Sequence, residues 1–377
     1  MMLPRESNKT AVERALGRSP ICALLGPRQC GKTTLARALA AERVSHYFDL
    51  ESPRDQLRLH NPEMVLAGLK GLIVLDEVQV QPELFSVLRV LADRPGAEAV
   101  FLILGSASPD LIQKSAESLA GRVEFIDLHG FDLTEVGADQ SLDLWNRGGF
   151  PRSFLAVNDE DSLAWREGFV RTFLERDLPQ FGVRVASSVM RRFWTMLAHS
   201  HGQLWNASQL GRSMGLADKT VKSYLDDLTQ TYMIRQLQPW FENLSKRQVK
   251  SPKVYLRDSG ILHHLLHLDS IEALGSHPKV GASWEGFAME QILRKTASSE
   301  AYFWATQSGA ELDLLLFENG KRIGYEFKYS ENPKVSRSMR VAMSDLRLDA
   351  LRIVCPSDVS VQLGDGIEVV GLRALLG

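Results

Sequence analysis

Cysteine is scarce in this chain, and long apolar runs are missing. Only three cysteines occur in 377 residues, Cys22, Cys30 and Cys355, with no C-x-x-C pair. That excludes a disulfide-stapled scaffold or a cysteine zinc site and leaves reduced thiols as the expectation. The longest apolar stretches, near residues 72–75 and 99–104, fall far short of the ~20 residues a membrane-spanning helix needs. The opening MMLPRESNKT has no apolar centre of a secretory signal. The expectation is a cytoplasmic protein with no membrane partner. Neither sign of charge dominates: 44 Lys and Arg oppose 46 Asp and Glu, a net charge of -2. A polyanionic partner would therefore have to meet a local basic patch. What remains is ordinary globular composition, 44% hydrophobic and 24% charged. The length exceeds what one core supports, so about two or three domains are expected.

Short apolar runs, ICALL, LIVLDE and AVFLILGS, alternate with helical spacing in the first third, which reads as a parallel α/β sheet. The first run leads into GPRQCGKTT, which fits G-x-x-x-x-G-K-[ST] with Gly26, Gly31, Lys32 and Thr33. Gly26 and Gly31 let the backbone through Pro27, Arg28, Gln29 and Cys30 fold back so that its N–H groups, of which Pro27 has none, point inward on phosphate oxygens, at the positive end of the following helix. Lys32 would neutralise the β and γ oxygens, Thr33 would ligate Mg²⁺, and Thr34 packs or caps. ATP and Mg²⁺ are the expected cofactors.

The run LIVLDE ends in Asp76, placed to hold Mg²⁺, and Glu77, placed to activate water as general base. Taken without the upstream loop, two acids after a strand read first as a solvated loop. Ser106, at the end of FLILGS, either senses the γ-phosphate or caps the next helix, and Ser108 reads as a cap. Arg122 either reaches a γ-phosphate, in its own chain or in a neighbouring copy, or makes an ion pair.

GPRQCGKTT, LIVLDEVQ, LGSAS, SLAGR, GGFPR and FLERDLPQ together resemble AAA+ ATPases of the archaeal-type, STAND-related branch that carry a C-terminal DUF4143 domain. The resemblance spans nearly the whole chain. It implies an ATP-binding core followed by a winged helix and a nuclease-like module. Arg122 or Arg176 would be the contact if the chain forms a homo-oligomer.

Helical spacing over 141–184 reads as a lid or connector, and 185–267 as helices followed by a strand, a wing and a strand. Asn206 caps one helix. The next places Val221, Leu225 and Leu228 on one face and Lys219, Lys222 and Ser223 on another, the spacing of a helix-turn-helix. Lys246, Arg247, Lys250, Lys253 and Arg257 make the wing a candidate nucleic-acid contact, DNA favoured; a solvated wing on a packing module is the alternative. Asp226 and Asp227 on the supposed reading helix argue against contact. His263 and His267 share a helical face without a third ligand, so an ordinary helix surface is expected, and His199 and His201 read as a cap or solvated turn.

In the last segment, 268–377, Glu285 falls on a helix, Asp313 on the strand ELDLLLF, and Glu326 and Lys328 on one face of IGYEFKY. Asp313 and Glu326 could hold Mg²⁺, with Lys328 countering charge on a phosphodiester and Glu285 completing the set. These residues resemble the PD-(D/E)XK nuclease superfamily, with Leu312 in place of the proline. The expected architecture is an α/β P-loop AAA+ core (1–140), the connector, a winged helix, and a restriction-endonuclease-like α/β domain.

Overall fold

The computed structural model describes residues 3–96, 98–106, 119–242, 247–296 and 300–376. Ser108 and Lys246 lie outside them. The chain divides into two compact units, one running to Gly130 with Gln230–Tyr232, the other Phe131–Thr229 with Met233–Gly377.

The first unit is built on a five-stranded sheet of β1 (Ile21–Leu25), β2 (Ser45–Asp49), β3 (Gly71–Asp76), β4 (Ala99–Gly105) and β5 (Val123–Asp127). Its order is β2-β3-β4-β1-β5 and every pair is parallel. The three inner strands are apolar throughout because helices cover both faces. Ile21, Ala23, Ile73, Leu75 and Phe101 pack on one side. Cys22, Leu24, Leu72, Val74 and Leu102 pack on the other. Each buried large aliphatic side chain contributes roughly 1.5–3 kcal/mol. The edge strands SHYFD and VEFID are only half-buried and lack an apolar run, so the sequence reading finds the inner strands alone.

In the second unit, nine strands form one sheet in the order β13-β14-β12-β11-β10-β9-β7-β8-β6. They are β6 (Gln203–Leu204), β7 (Ile234–Pro239), β8 (Lys253–Leu256), β9 (Ala301–Ala305), β10 (Glu311–Glu318), β11 (Lys321–Phe327), β12 (Ala350–Cys355), β13 (Ser360–Gly364) and β14 (Ile367–Gly371). Strands β6, β8 and β7 are antiparallel neighbours, and the end of β7 pairs with β9 at Gln238↔Tyr302 and Pro239↔Phe303. The middle and last segments of the chain thus share a sheet.

Helices Ala207–Met214 and Asp218–Gln230 fall where the periodicity places them. Val221, Leu225 and Leu228 are buried, while Lys219, Lys222 and Ser223 are exposed. Asn206 caps the first of the two through the Gln209 N–H. The helix Asp159–Thr172 continues into a π-helical turn, Phe173–Asp177, which carries the FLERD motif. Trp165, Phe169 and Phe173 stack along it. His199 and His267 are exposed, as expected, but His201 and His263 are buried, which corrects the solvated reading of those two. His263 lies between the Asn146 carbonyl at 3.1 Å and Ser283 Oγ at 2.7 Å, and His201 Nδ1 accepts from the Leu256 N–H at 3.0 Å.

Candidate functional site

The phosphate loop leaves the carboxyl end of β1 and enters the helix Lys32–Ala41. Gly26 is required by close approach, since a Cβ there would lie 1.9 Å from the Leu128 carbonyl oxygen. Gly31 is required by its φ of 105°, which caps the helix in a left-handed conformation. Cys30 Sγ donates to the same Leu128 carbonyl at 3.3 Å, so this thiol anchors the loop. Arg5 holds the loop from behind, through the Cys30 carbonyl at 3.0 Å and the His129 carbonyl at 2.9 Å. Pro27 and Arg28 are buried, with Arg28 paired to Glu51 at 2.8 Å, and Gln29 is exposed. Thr34 is also exposed, which corrects the packing role expected for it.

Lys32 Nζ, nearly buried, donates to the carbonyls of Gly26 and Pro27, each at 2.9 Å. Thr33 Oγ1 donates at 2.9 Å to Oδ2 of Asp76, which β3 delivers across the intervening β4. Tyr47 on β2 donates to the same oxygen. Asp76 is 5% exposed, and its Oδ1 has no hydrogen-bond partner among the described residues. Burial, against the donors Tyr47 and Thr33, leaves its pKa raised. An unpartnered buried carboxylate oxygen beside a threonine hydroxyl is a donor set that fits Mg²⁺, a hard cation that takes oxygen ligands. Glu77 follows at φ 57°. Its Oε1 accepts from Ser106 Oγ at 2.9 Å and its Oε2 from Gln79 Nε2. Ser106 arrives on β4, whose Gly105 lies level with Leu25.

Arg122 is not brought to this loop in its own chain. Its carbonyl accepts from the Ile21 N–H, at the opposite end of β1, about 16 Å of strand away. The guanidinium pairs with Asp93 at 2.6 and 2.9 Å. Arg176 pairs with Asp177 at 3.1 Å.

The second constellation assembles around β8, β10 and β11. Asp313 and Glu326 flank Lys328, whose Nζ is 3.6 and 2.8 Å from their oxygens. Glu285 joins from the helix Val280–Thr296, accepting from the Tyr255 hydroxyl at 2.5 Å. Lys253, expected on a basic wing, points into this cluster: its Nζ pairs with Glu311 and lies 3.6 Å from both Glu285 and Asp313. Burial opposes its charge, but Tyr255 and the surrounding carboxylates outweigh that and raise its pKa. Burial and then Asp313 push Glu285 up to about 7 and Glu326 up to about 8. Sequence reasoning missed Lys253, Tyr255 and Glu311. Their signal was the alternation in KVYL and ELDL, which puts residues two apart on one face. Arg257 also turns inward, to Glu290 at 3.5 Å, so Arg247 and Lys250 are the described wing cations left exposed.

Comparison with known proteins now gives this geometry a family. An AAA domain matches residues 18–137, and domains of unknown function, DUF8612 and DUF4143, match residues 138–272 and 280–375. Uncharacterized protein Rv2008c of Mycobacterium tuberculosis (strain ATCC 25618 / H37Rv) is 50% identical over 376 residues, covering 100% of this chain and 85% of its own length. The chain belongs to its family. Uncharacterized protein Mb2031c of Mycobacterium bovis matches to the same extent. The first unit of this chain, which carries the AAA match, is an AAA-type P-loop ATPase domain. A solved structure, the Walker-type ATPase paby2304 of Pyrococcus abyssi, shares the fold at a TM-score of 0.52 and 13% identity, covering 70% of this chain and 96% of that one. No helix among the described residues is long and apolar enough to cross a membrane.

Proposed function

We propose that this AAA-family protein binds ATP with Mg²⁺, hydrolyses it, and uses the nucleotide state to govern action on nucleic acid. The observation that carries the first part is the convergence of Lys32, Thr33 and Asp76, with one Asp76 oxygen left unpartnered. Lys32 would exchange its two loop carbonyls for β- and γ-phosphate oxygens, while the loop N–H groups hold the phosphate chain. Thr33 and Asp76 would hold Mg²⁺, which when bound neutralises charge on those oxygens. Glu77, released by Ser106 or Gln79, accepts a proton from the water that attacks the γ-phosphorus as ADP departs. Ser106 is then within reach of the same water.

For the rest of the chain we assign 1–140 to the ATPase core, 141–184 to a helical connector, 185–267 to a winged helix and 268–377 to a restriction-endonuclease-like domain. The order of helix Ser187–His199, β6, two helices, β7 and β8 supports the winged helix. A helix, the antiparallel strands β9, β10 and β11, a second helix, and β12 parallel to β11 support the tail assignment. Exposed Lys219, Lys222, Arg247 and Lys250 are the groups that would meet a phosphate backbone, DNA favoured over RNA. Assembly as a homo-oligomer belongs to the same proposal.

A second reading has its own support. Two ammonium groups inside the tail carboxylate cluster favour a nucleotide-dependent switch whose tail binds without cutting. One experiment tests both: ATP turnover is measured with and without DNA or RNA while polymer length is followed, for wild type, Lys32→Ala and Glu326→Ala. Loss of turnover in Lys32→Ala supports the first reading and full turnover defeats it. Divalent-dependent shortening of the polymer that disappears in Glu326→Ala defeats the switch.

A further inference from the structure

The nuclease-like reading of the tail implies a divalent metal among Glu285, Asp313 and Glu326, and the residues present do not fit one. The position such an ion would take is enclosed by Lys253, which is 4% exposed. Its ammonium faces Glu285 Oε1 and Asp313 Oδ1, pairs with Glu311, and rests 5.6 Å from the Phe303 ring centroid. Further bonds engage these carboxylates, among them Lys328 to Glu326 Oε2 at 2.8 Å. Tyr255 donates to Glu285 Oε1, and Asp313 Oδ2 accepts from the Phe327 N–H at 3.0 Å, with Lys328 nearby. A divalent ion needs these lone pairs at about 2.0–2.6 Å, with no ammonium in the same space. Among the described residues, no group of three acidic, His or Cys side chains is arranged to hold a metal ion.

We propose that Lys253 is a tethered cation, supplied by the hairpin before the tail, that occupies the carboxylate cluster in place of a divalent metal. Its backbone position makes withdrawal difficult. Lys253 pairs with Leu237 on one side and Leu204 on the other, so the strand that carries it is held at both edges. The cluster is therefore composite: Lys253 and Tyr255 fall within 138–272, and the carboxylates within 280–375. The ammonium satisfies by charge what a metal would satisfy by coordination, and it ties β8 to β10 and to the helix that carries Glu285. This proposal is independent of the nucleotide site.

The test is Mn²⁺ binding followed by electron paramagnetic resonance, without nucleotide, in an Asp76→Asn background so that the phosphate loop contributes no site. The parent chain should take up no Mn²⁺ at the tail. Lys253→Met, which keeps the stem and removes the charge, should gain one Mn²⁺ per chain and lose it again with Asp313→Asn. Mn²⁺ bound by the parent and abolished by Asp313→Asn overturns the proposal, as does a folded Lys253→Met that binds none. Acetylation footprinting of the wild type gives an answer that does not depend on the variant folding. Lys253 should stay protected in excess Mg²⁺ while exposed lysines react, and Mg²⁺-induced labelling of Lys253 would show that the metal displaces it.

Discussion

Replacing Lys32 with methionine separates the lysine's bonds within the loop from its service to nucleotide. In the structure its ammonium is nearly buried and bonded to two carbonyls. Hydrogen bonds to a charged group are worth about 1.5–3 kcal/mol each, but desolvating the ammonium takes back much of that gain. The variant should therefore fold with a stability change within about 3 kcal/mol. Bound nucleotide is different. A unit charge about 4 Å from the ammonium, near a protein surface, contributes about 4 kcal/mol. Giving up the two carbonyls offsets about half of this. The net loss is about 2 kcal/mol, or ~30-fold in Kd for MgATP. Fluorescent-nucleotide titration measures it directly. Thermal melts add a second readout, because ligand at 100 times Kd should stabilise the wild type by about 2.7 kcal/mol and the variant by far less. Unchanged affinity in a folded Lys32→Met would refute the assignment of this loop to triphosphate.

Three further outcomes are expected. Glu77→Gln should retain MgATP affinity but lose on the order of 100-fold in turnover, measured as phosphate release, since it keeps the Ser106 contact but not the base. Gly26→Ala should lower the melting temperature and abolish nucleotide binding together, because its new methyl group would overlap the Leu128 carbonyl and displace the loop. The pH dependence of stability should carry the mark of His263, whose pKa burial lowers from 6.5 to about 4. A depressed folded pKa means its contribution is whole above about pH 6.5 and is lost as pH falls through about 4. That loss is on the order of 3 kcal/mol. Melting temperatures compared between wild type and His263→Gln from pH 7 to pH 4 should show the variant falling less steeply.

How much of this was legible in the sequence follows from how locally each feature is determined. The phosphate loop is one contiguous stretch whose two glycines answer to backbone geometry, so spacing alone finds it. Asp76 and Glu77 announce themselves at the end of a strand that must be apolar because it is buried on both faces. Tyr47 could not be found this way. It lies on a half-polar edge strand, and its bond to Asp76 exists only because β2 is laid in register with β3, Phe48 against Leu75.

Two of the wing cations were misplaced for a related reason. Five cations within a short segment read as a surface when counted, but Lys253 and Arg257 occupy positions where pleating turns them inward, toward carboxylates that come from later in the chain. His263 and His201 went the same way: a helical face without a third ligand, or a turn at a helix end, looks solvated until Asn146 and Ser283 are seen at the two ring nitrogens of His263 and the Leu256 amide at Nδ1 of His201. A buried charge is legible only together with its partner. Where the partner lies far along the sequence, composition assigns the charge to solvent, and the structure instead turns it into a cross-tie between segments.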